Sequence, residues 1–235
     1  VRETVPKVYV VARPSIDWEE MLAYLEDVGG EEWGHDAMFD DESPEAELLS
    51  EFAGRSCYRS WKPGLNANVT RTRTNREEYH GNVLASKHGS VLEHAQFTFV
   101  FHDVSRVFTH ELVRHRAGVA VSQESLRYVR LTDLGFRVPA ILEPMRPQVI
   151  SLVEALEDFQ RVAAEEFGLD DEGVPFHYKK EVTSALRRLA PIGLSTDIVW
   201  SANVRTLRHV IPTRTAKGAE EEIRIVFDEV ARIMS

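Results

Sequence analysis

The stretch Gln96-Phe97-Thr98-Phe99-Val100-Phe101-His102 sets three phenylalanines two residues apart, with polar or smaller residues between them. A period of two is the mark of a strand that buries one face, and this strand anchors the predicted sheet. Immediately after it, residues 105–115 return to helical spacing, with Val107, Phe108, Leu112 and Val113 as core positions and Gly118 as the stop. Working outward, residues 8–12 predict a second strand, ended by Arg13 and Pro14. Ser15 is the cap expected for an amphipathic helix over 17–28, which Gly29 and Gly30 end. Residues 31–42 are acidic and aperiodic and predict a surface loop. Ser43, Pro44 and Glu45 open a helix to about Cys57, and 61–69 reads as loop. Asn75 caps a helix through about Lys87 with Val83 and Leu84 inward. Residues 152–167, 181–189 and 220–234 carry helical spacing, and 197–201 is a short β-rich piece. Strands and helices do not alternate regularly, so the class is α+β rather than a doubly wound sheet. With no linker-like segment or repeat, residues 1–235 read as one domain.

Composition narrows the function. A content of 43% apolar and 28% charged residues is that of a globule, and no apolar run approaches the ~18 residues needed to span a bilayer. The start of the chain reads as a strand carrying Lys7 rather than a signal peptide. A net charge of −10 opposes general nucleic-acid binding and polybasic membrane attachment. The single cysteine, Cys57, excludes an internal disulfide, a Cys-only metal cage and a CxxC pair, which makes the cytoplasm the default address. Cys57 itself reads as a small core residue.

The basic residues are unevenly placed. Of 22 Arg and 6 Lys in the chain, residues 104–130 hold Arg106, Arg114, Arg116, Arg127 and Arg130 with no Lys. Residues 187–214 hold Arg187, Arg188, Arg205, Arg208 and Arg214, again with no Lys. Arginine without lysine points to fixed, bidentate recognition of phosphate or carboxylate; ion pairs that merely solvate helices are the plainer alternative. On a helix, Glu111 would sit one turn from His115 and orient it. Beyond Gly118, the hydroxyls and amides up to Tyr128 suggest a loop that wraps a polar ligand. Five of the nine histidines fall between His88 and His115. No metal site is expected, because His110 and His115 lie roughly 140° apart on a helix and no HExxH spacing occurs. His88 and His94 flank the turn into the phenylalanine strand.

These motifs together resemble the flavin-dependent thymidylate synthase family. Arg114-His115-Arg116 followed by Ser125-Leu126-Arg127-Tyr128 is similar to its signature. His88-Gly89-Ser90-Val91-Leu92-Glu93-His94 is similar to an upstream flavin-contacting segment, and Asn203-Val204-Arg205 through His209 to Arg214 to a downstream one. The Cys57-Tyr58 pair also fits. The resemblance runs from about residue 8 to 230 and implies a mainly antiparallel sheet with flanking helices in a homotetramer whose active sites lie between subunits. It further implies FAD as cofactor, NADPH as reductant, methylenetetrahydrofolate as carbon donor and a uridylate methylated at carbon 5. By motif, Ser90, Glu93, Arg114, His115, Arg116, Asn203, Arg205 and His209 would bind FAD, with His88 near the flavin and folate. Glu111, Arg114, Gln123, Glu124, Ser125, Arg127, Arg187 and Arg214 would bind the nucleotide, Arg127 and Arg187 at its phosphate and Arg214 at the base.

Fixed guanidinium donors suit the charge that develops on the uracil carbonyls, which makes Arg214 the principal catalytic residue. Besides Cys57, Ser125 is the other conceivable nucleophile; Glu124 or His115 could approach it, but with no convincing adjacent base its better role is positioning. Several family members space this serine one residue closer to Arg-His-Arg. The expected substrate is dUMP, with UMP as the alternative, since one polar partner for a 2′-hydroxyl suffices for the switch. A flavin- or nucleotide-binding homologue without turnover is a further alternative, and an RNA-binding regulator is opposed by the net charge.

Overall fold

The computed structural model describes residues Val1–Ser235. In chain order the elements are β1 (Arg2–Glu3), β2 (Lys7–Ala12), α1 (Trp18–Val28), α2 (Glu31–Met38), α3 (Glu45–Tyr58), α4 (Arg76–Ala85), a 3-10 turn (Gly89–Glu93), β3 (Gln96–Ser105) and α5 (Arg106–Leu112). Then come β4 (Val119–Gln123), β5 (Gly135–Phe136), a 3-10 turn (Ala140–Met145), α6 (Arg146–Glu166), α7 (Phe176–Leu186), a 3-10 turn (Arg187–Leu189), β6 (Ser195–Asn203), α8 (Val204–Arg214) and α9 (Glu221–Met234). The main sheet has the order β2-β3-β6-β4, every pairing antiparallel. β1 and β5 form a small parallel pair beside it. The α+β class and the antiparallel sheet follow the sequence expectation. No helix is long and apolar enough to cross a membrane.

The phenylalanine alternation does what its period requires. Phe99 and Phe101 are fully buried and meet Trp200 of β6. Helices α5, α8 and α9 cover that face through Phe108, Leu112, Leu207, Val210, Ile223 and Phe227, and each such aromatic or aliphatic burial contributes about 1.5–3 kcal/mol. A buried acid ties α9 to the sheet. Glu222, 4% exposed, accepts from the Ser105 backbone N–H at 2.9 Å and from the Ser105 hydroxyl. Burial raises its pKa above the ordinary carboxylate value, and the Ser105 bonds partly offset this.

Several expectations need correction. Residues 31–42 are not a loop: α2 forms because Trp33 and Ala37, four apart, pack inward, Trp33 against Phe52 and Trp61. Trp33 Nε1 also donates to buried Glu51 at 3.0 Å. Tertiary contact here overrides an acidic composition whose first turn, Glu31 and Glu32, suits the helix dipole. Asp17 rather than Ser15 caps α1, accepting from the Glu20 N–H, and Pro44 takes the cap position of α3. Helix α5 stops at Leu112, leaving Val113 exposed. Leu84 is exposed where Val83 is buried. Cys57 is exposed, because the inward positions of α3 are Leu48, Ser50, Glu51, Gly54 and Arg55. The helix expected over 181–189 begins earlier, at Phe176, and tightens into the 3-10 turn. Residues 119–123 are a strand rather than a wrapping loop, paired along β6 from Ala202 to Ile198.

Candidate functional site

Strand β6 carries the architecture of the site, because different functional segments gather at its two ends. At the Asn203 end, Asn203 caps α8 by accepting from the Thr206 N–H at 2.9 Å. The Asn203 N–H donates to the Gly118 carbonyl, and the Val204 N–H to the Ala95 carbonyl. Thr206 Oγ1 donates to the Ala117 carbonyl at 2.8 Å. These bonds lay the Arg114–Gly118 segment against the start of α8. Gly118 has φ +68, and a Cβ there would overlap Asn203 Nδ2 and Thr206 Oγ1, so only glycine fits this close approach.

The result is a cleft of about 680 Å³ lined by Glu93, Arg114, His115, Arg116, Gly118, Asn203, Arg205, Thr206 and His209 among others. All three separated motifs thus meet here. Arg205 pairs with Glu93 at 2.5 Å, whereas Arg114 and Arg116 have no carboxylate within ion-pair distance. The cleft therefore holds uncompensated positive charge. Ser90 is exposed on the 3-10 turn beside it, and Gly89 passes close to Arg205 Nε. His88, preceding that turn, stacks on Tyr58 with ring centroids 6.1 Å apart at 19°. Two free guanidinium groups, a cradle where a side chain would clash and an aromatic pair nearby fit a flavin dinucleotide, whose diphosphate and flat ring need such donors and faces.

Arg214 stands at the end of α8 and is held on three sides. Nε donates to His115 Nε2 at 2.8 Å, Nη1 to the Glu111 carboxylate at 2.5 Å, and Nη2 to the Glu111 carbonyl at 3.0 Å. The expected Glu111–His115 contact along one helix does not exist, because α5 ends before His115; Arg214 joins them instead. Burial, then Arg214 and His209, lower the pKa of His115 below its ordinary 6.5. At neutral pH the ring is therefore uncharged and accepts the Arg214 hydrogen bond. One N–H remains free on each terminal nitrogen of Arg214.

The rest of the nucleotide set lies elsewhere on this chain. Gln123 Nε2 donates to Thr109 Oγ1 of α5 at 3.2 Å. The Glu124 N–H donates to the Asp197 carbonyl at 3.0 Å, and its carboxylate accepts from Thr196 Oγ1 at 3.3 Å. Asp197 and Asn203 are six residues apart along β6, on the order of 20 Å. Ser125 starts a turn in which its hydroxyl accepts from the Arg127 N–H at 3.3 Å. Arg127 and Arg187 are exposed without carboxylate partners. The structure thus brings the flavin-motif residues together with Glu111 and Arg214, and leaves Glu124, Ser125, Arg127 and Arg187 outside that cleft. Thr206 was missed in the sequence; an Asn-x-x-Thr spacing at a helix start was the available signal.

An α+β chain with this arginine-lined cleft is built to handle a phosphorylated, nucleotide-like ligand. Comparison with known proteins agrees. Residues 40–235 match the family model described as thymidylate synthase complementing protein. A flavin-dependent thymidylate synthase of Mycolicibacterium gilvum is 38% identical over 191 residues, 78% of this chain and 73% of that protein. One from Corynebacterium glutamicum is 37% identical over 194 residues, 80% and 74% of the two chains. The chain belongs to the flavin-dependent thymidylate synthase family and is an enzyme of that methyltransferase type. Among solved structures, thymidylate synthase X of Helicobacter pylori, with FAD and dUMP, shares the fold at TM-score 0.57 and 22% identity, over 80% of this chain and 88% of that one. The UMP/dUMP methylase PolB of Streptomyces cacaoi, bound with 5-Br UMP, does so at 0.61 and 17%, over 100% and 91%.

Proposed function

We propose that this enzyme, acting as one domain and in the cytoplasm, methylates carbon 5 of a uridylate, dUMP to dTMP, with methylenetetrahydrofolate as carbon donor and NADPH as reductant. Arg114, His115, Arg116, Asn203, Arg205 and His209 would hold FAD in the cleft, with Ser90 and Glu93 at its rim, and FAD would supply two electrons for the reduction. His88, on its Tyr58 stack, would serve the flavin and the folate.

The observation that carries this reading is Arg214. It is fixed by Glu111 and by His115, which itself lines the cleft, with two N–H groups to spare. Carbon 5 of uracil is a poor nucleophile, and a guanidinium already oriented toward the pyrimidine carbonyls stabilises the negative charge that gathers there without reorganising. Neutral His115 keeps Arg214 in place. Arg114 contributes to the nucleotide as well as the cofactor, Arg127 and Arg187 take the phosphate, and Gln123, Glu124 and Ser125 position base and sugar. These last groups sit at the far end of β6, so we assign them to the site of a neighbouring copy, in a homotetramer whose sites are shared.

Methylation of UMP is the second reading, favoured by one feature. Eight residues separate Arg116 from Ser125, and five of them form β4, whose Ala120 and Ser122 are small and exposed. The test is product mass. FAD-loaded protein with NADPH and methylenetetrahydrofolate is given dUMP and UMP in parallel. A methylated dUMP upholds the main reading, a methylated UMP alone moves the assignment to the ribonucleotide, and no methylated product from either refutes both.

A further inference from the structure

The turn after β4 is tied at two points to the segment that follows α6. Arg130 Nη1 donates to the Asp170 carboxylate and Nη2 to the carbonyl of buried Leu169, both at 2.7 Å. Tyr128 lies against one face of α7: its ring stacks on Phe176 with centroids 6.1 Å apart at 9°, and Lys180 Nζ stands 5.3 Å from its centre. Phe176 and Lys180 are four apart and so share that face of the helix. Within the turn, the Ser125 carbonyl accepts from the N–H groups of Tyr128 and Val129 at 3.0 and 3.1 Å. Holding the Tyr128 ring therefore also holds the backbone that carries Ser125 and Arg127.

Little else fixes the start of α7. Of its eleven residues only Thr183 is buried, and the bond from Gln160 Nε2 to the Leu186 carbonyl, at 3.2 Å, holds the opposite end. A helix of this length is a rod of about 16 Å, so the contact at its start sets the direction in which Arg187, just past its end, is presented. Parallel rings and a cation over a ring are directional contacts, unlike a loose apolar one. We propose that Phe176 is a positioning residue for the nucleotide: with Lys180 it clasps Tyr128 and keeps the turn bearing Ser125 and Arg127 in fixed relation to α7 and Arg187. The inference rests on the uridylate reading, in which those three residues meet the nucleotide. Phe176 itself touches no ligand and lies outside the motifs that mark the family.

Phe176→Ala removes the ring and Phe176→Tyr keeps it. Both are compared with wild type, full chain with FAD, by calorimetric titration with dUMP, by KM and kcat, and by amide hydrogen exchange at Tyr128 and Val129. Phe176→Ala is expected to weaken dUMP binding and raise KM roughly 3- to 10-fold, with kcat within about twofold and faster exchange at both amides. Phe176→Tyr is expected to restore all of these. Unchanged dUMP affinity with faster exchange overturns the positioning role, since the stack then only stabilises the helix. Unchanged exchange in Phe176→Ala overturns the clasp itself, and equal losses in the two variants overturn it too, because the ring is then not what matters. A wild type that binds neither dUMP nor UMP refutes the uridylate reading, and exchange at the two amides still decides whether Phe176 holds the turn.

Discussion

At the Asn203 end of β6 the functional side chains are already fastened to one another. At the Ser195 end they stand open. In the first region Arg214, Glu111 and His115 interlock, Asn203 and Thr206 pin the Arg114–Gly118 segment, and the chain's own contacts shape a cleft. In the second, Arg127 and Arg187 reach no carboxylate, and Arg106 lacks a counterion. The difference teaches which half of the site one chain can build alone. On the proposed reading, a flavin half is preorganised by contacts internal to the fold, whereas a nucleotide half whose Arg127 and Arg187 have no carboxylate partner would be completed by the substrate and another subunit.

Breaking the closed region should have the largest effect. On the proposed reading Arg214→Ala removes the one fixed donor for the pyrimidine carbonyls, so turnover should fall about 100- to 1,000-fold, with flavin still bound by absorbance. Normal turnover would refute the charge-stabilisation account. Gly118→Ala should destabilise the protein by about 1–3 kcal/mol and release flavin, since its φ of +68 and its approach to Asn203 both exclude a Cβ; calorimetric melting and the flavin spectrum check this. Arg205→Ala should weaken flavin retention roughly 10-fold or more while the apparent affinity for nucleotide holds. Its ion pair with Glu93 is exposed at both ends, 57% and 47%, so the melting temperature should barely move.

The pH response sharpens the contrast further. The lowered pKa of His115 means the folded chain binds fewer protons than the unfolded chain just below 6.5. Stability linked to this residue is therefore complete above about 6.5 and declines as pH falls through the unfolded value toward the folded one. Turnover should share that acid limb, because protonated His115 can no longer accept from Arg214, and His115→Gln should flatten it. The smallest effect belongs to the open region. Ser125→Ala should retain activity within about tenfold if the serine positions rather than attacks. Complete loss at unchanged nucleotide affinity would restore it as nucleophile.

Much of the closed region was legible in the sequence because it rests on periodicity and on arginine type. Phe97, Phe99 and Phe101 announced the central strand, and the arginines free of lysine marked the segments that supply Arg114, Arg116 and Arg205 to the cleft. What stayed hidden depended on contacts between distant segments. Trp33 makes α2 a helix only by meeting Phe52, Trp61 and Glu51. Residues 119–123 become a strand only because β6 offers an unpaired edge. Early termination of α5 changed how Glu111 and His115 relate, since Arg214, about a hundred residues later, closes the gap between them. Local spacing carries no information about such a bridge.

The central claim is that the closed and open halves of one site come from different copies of the chain. Co-expression of Arg214→Ala and Arg127→Ala chains under separate tags, followed by purification of the mixed assembly, tests it directly. Each variant alone should be nearly inactive. The mixed assembly should recover about a quarter of wild-type turnover, because random pairing of subunits places an intact closed half against an intact open half in that share of sites. A mixed assembly as inactive as its parents would place both halves on one chain and contradict the account.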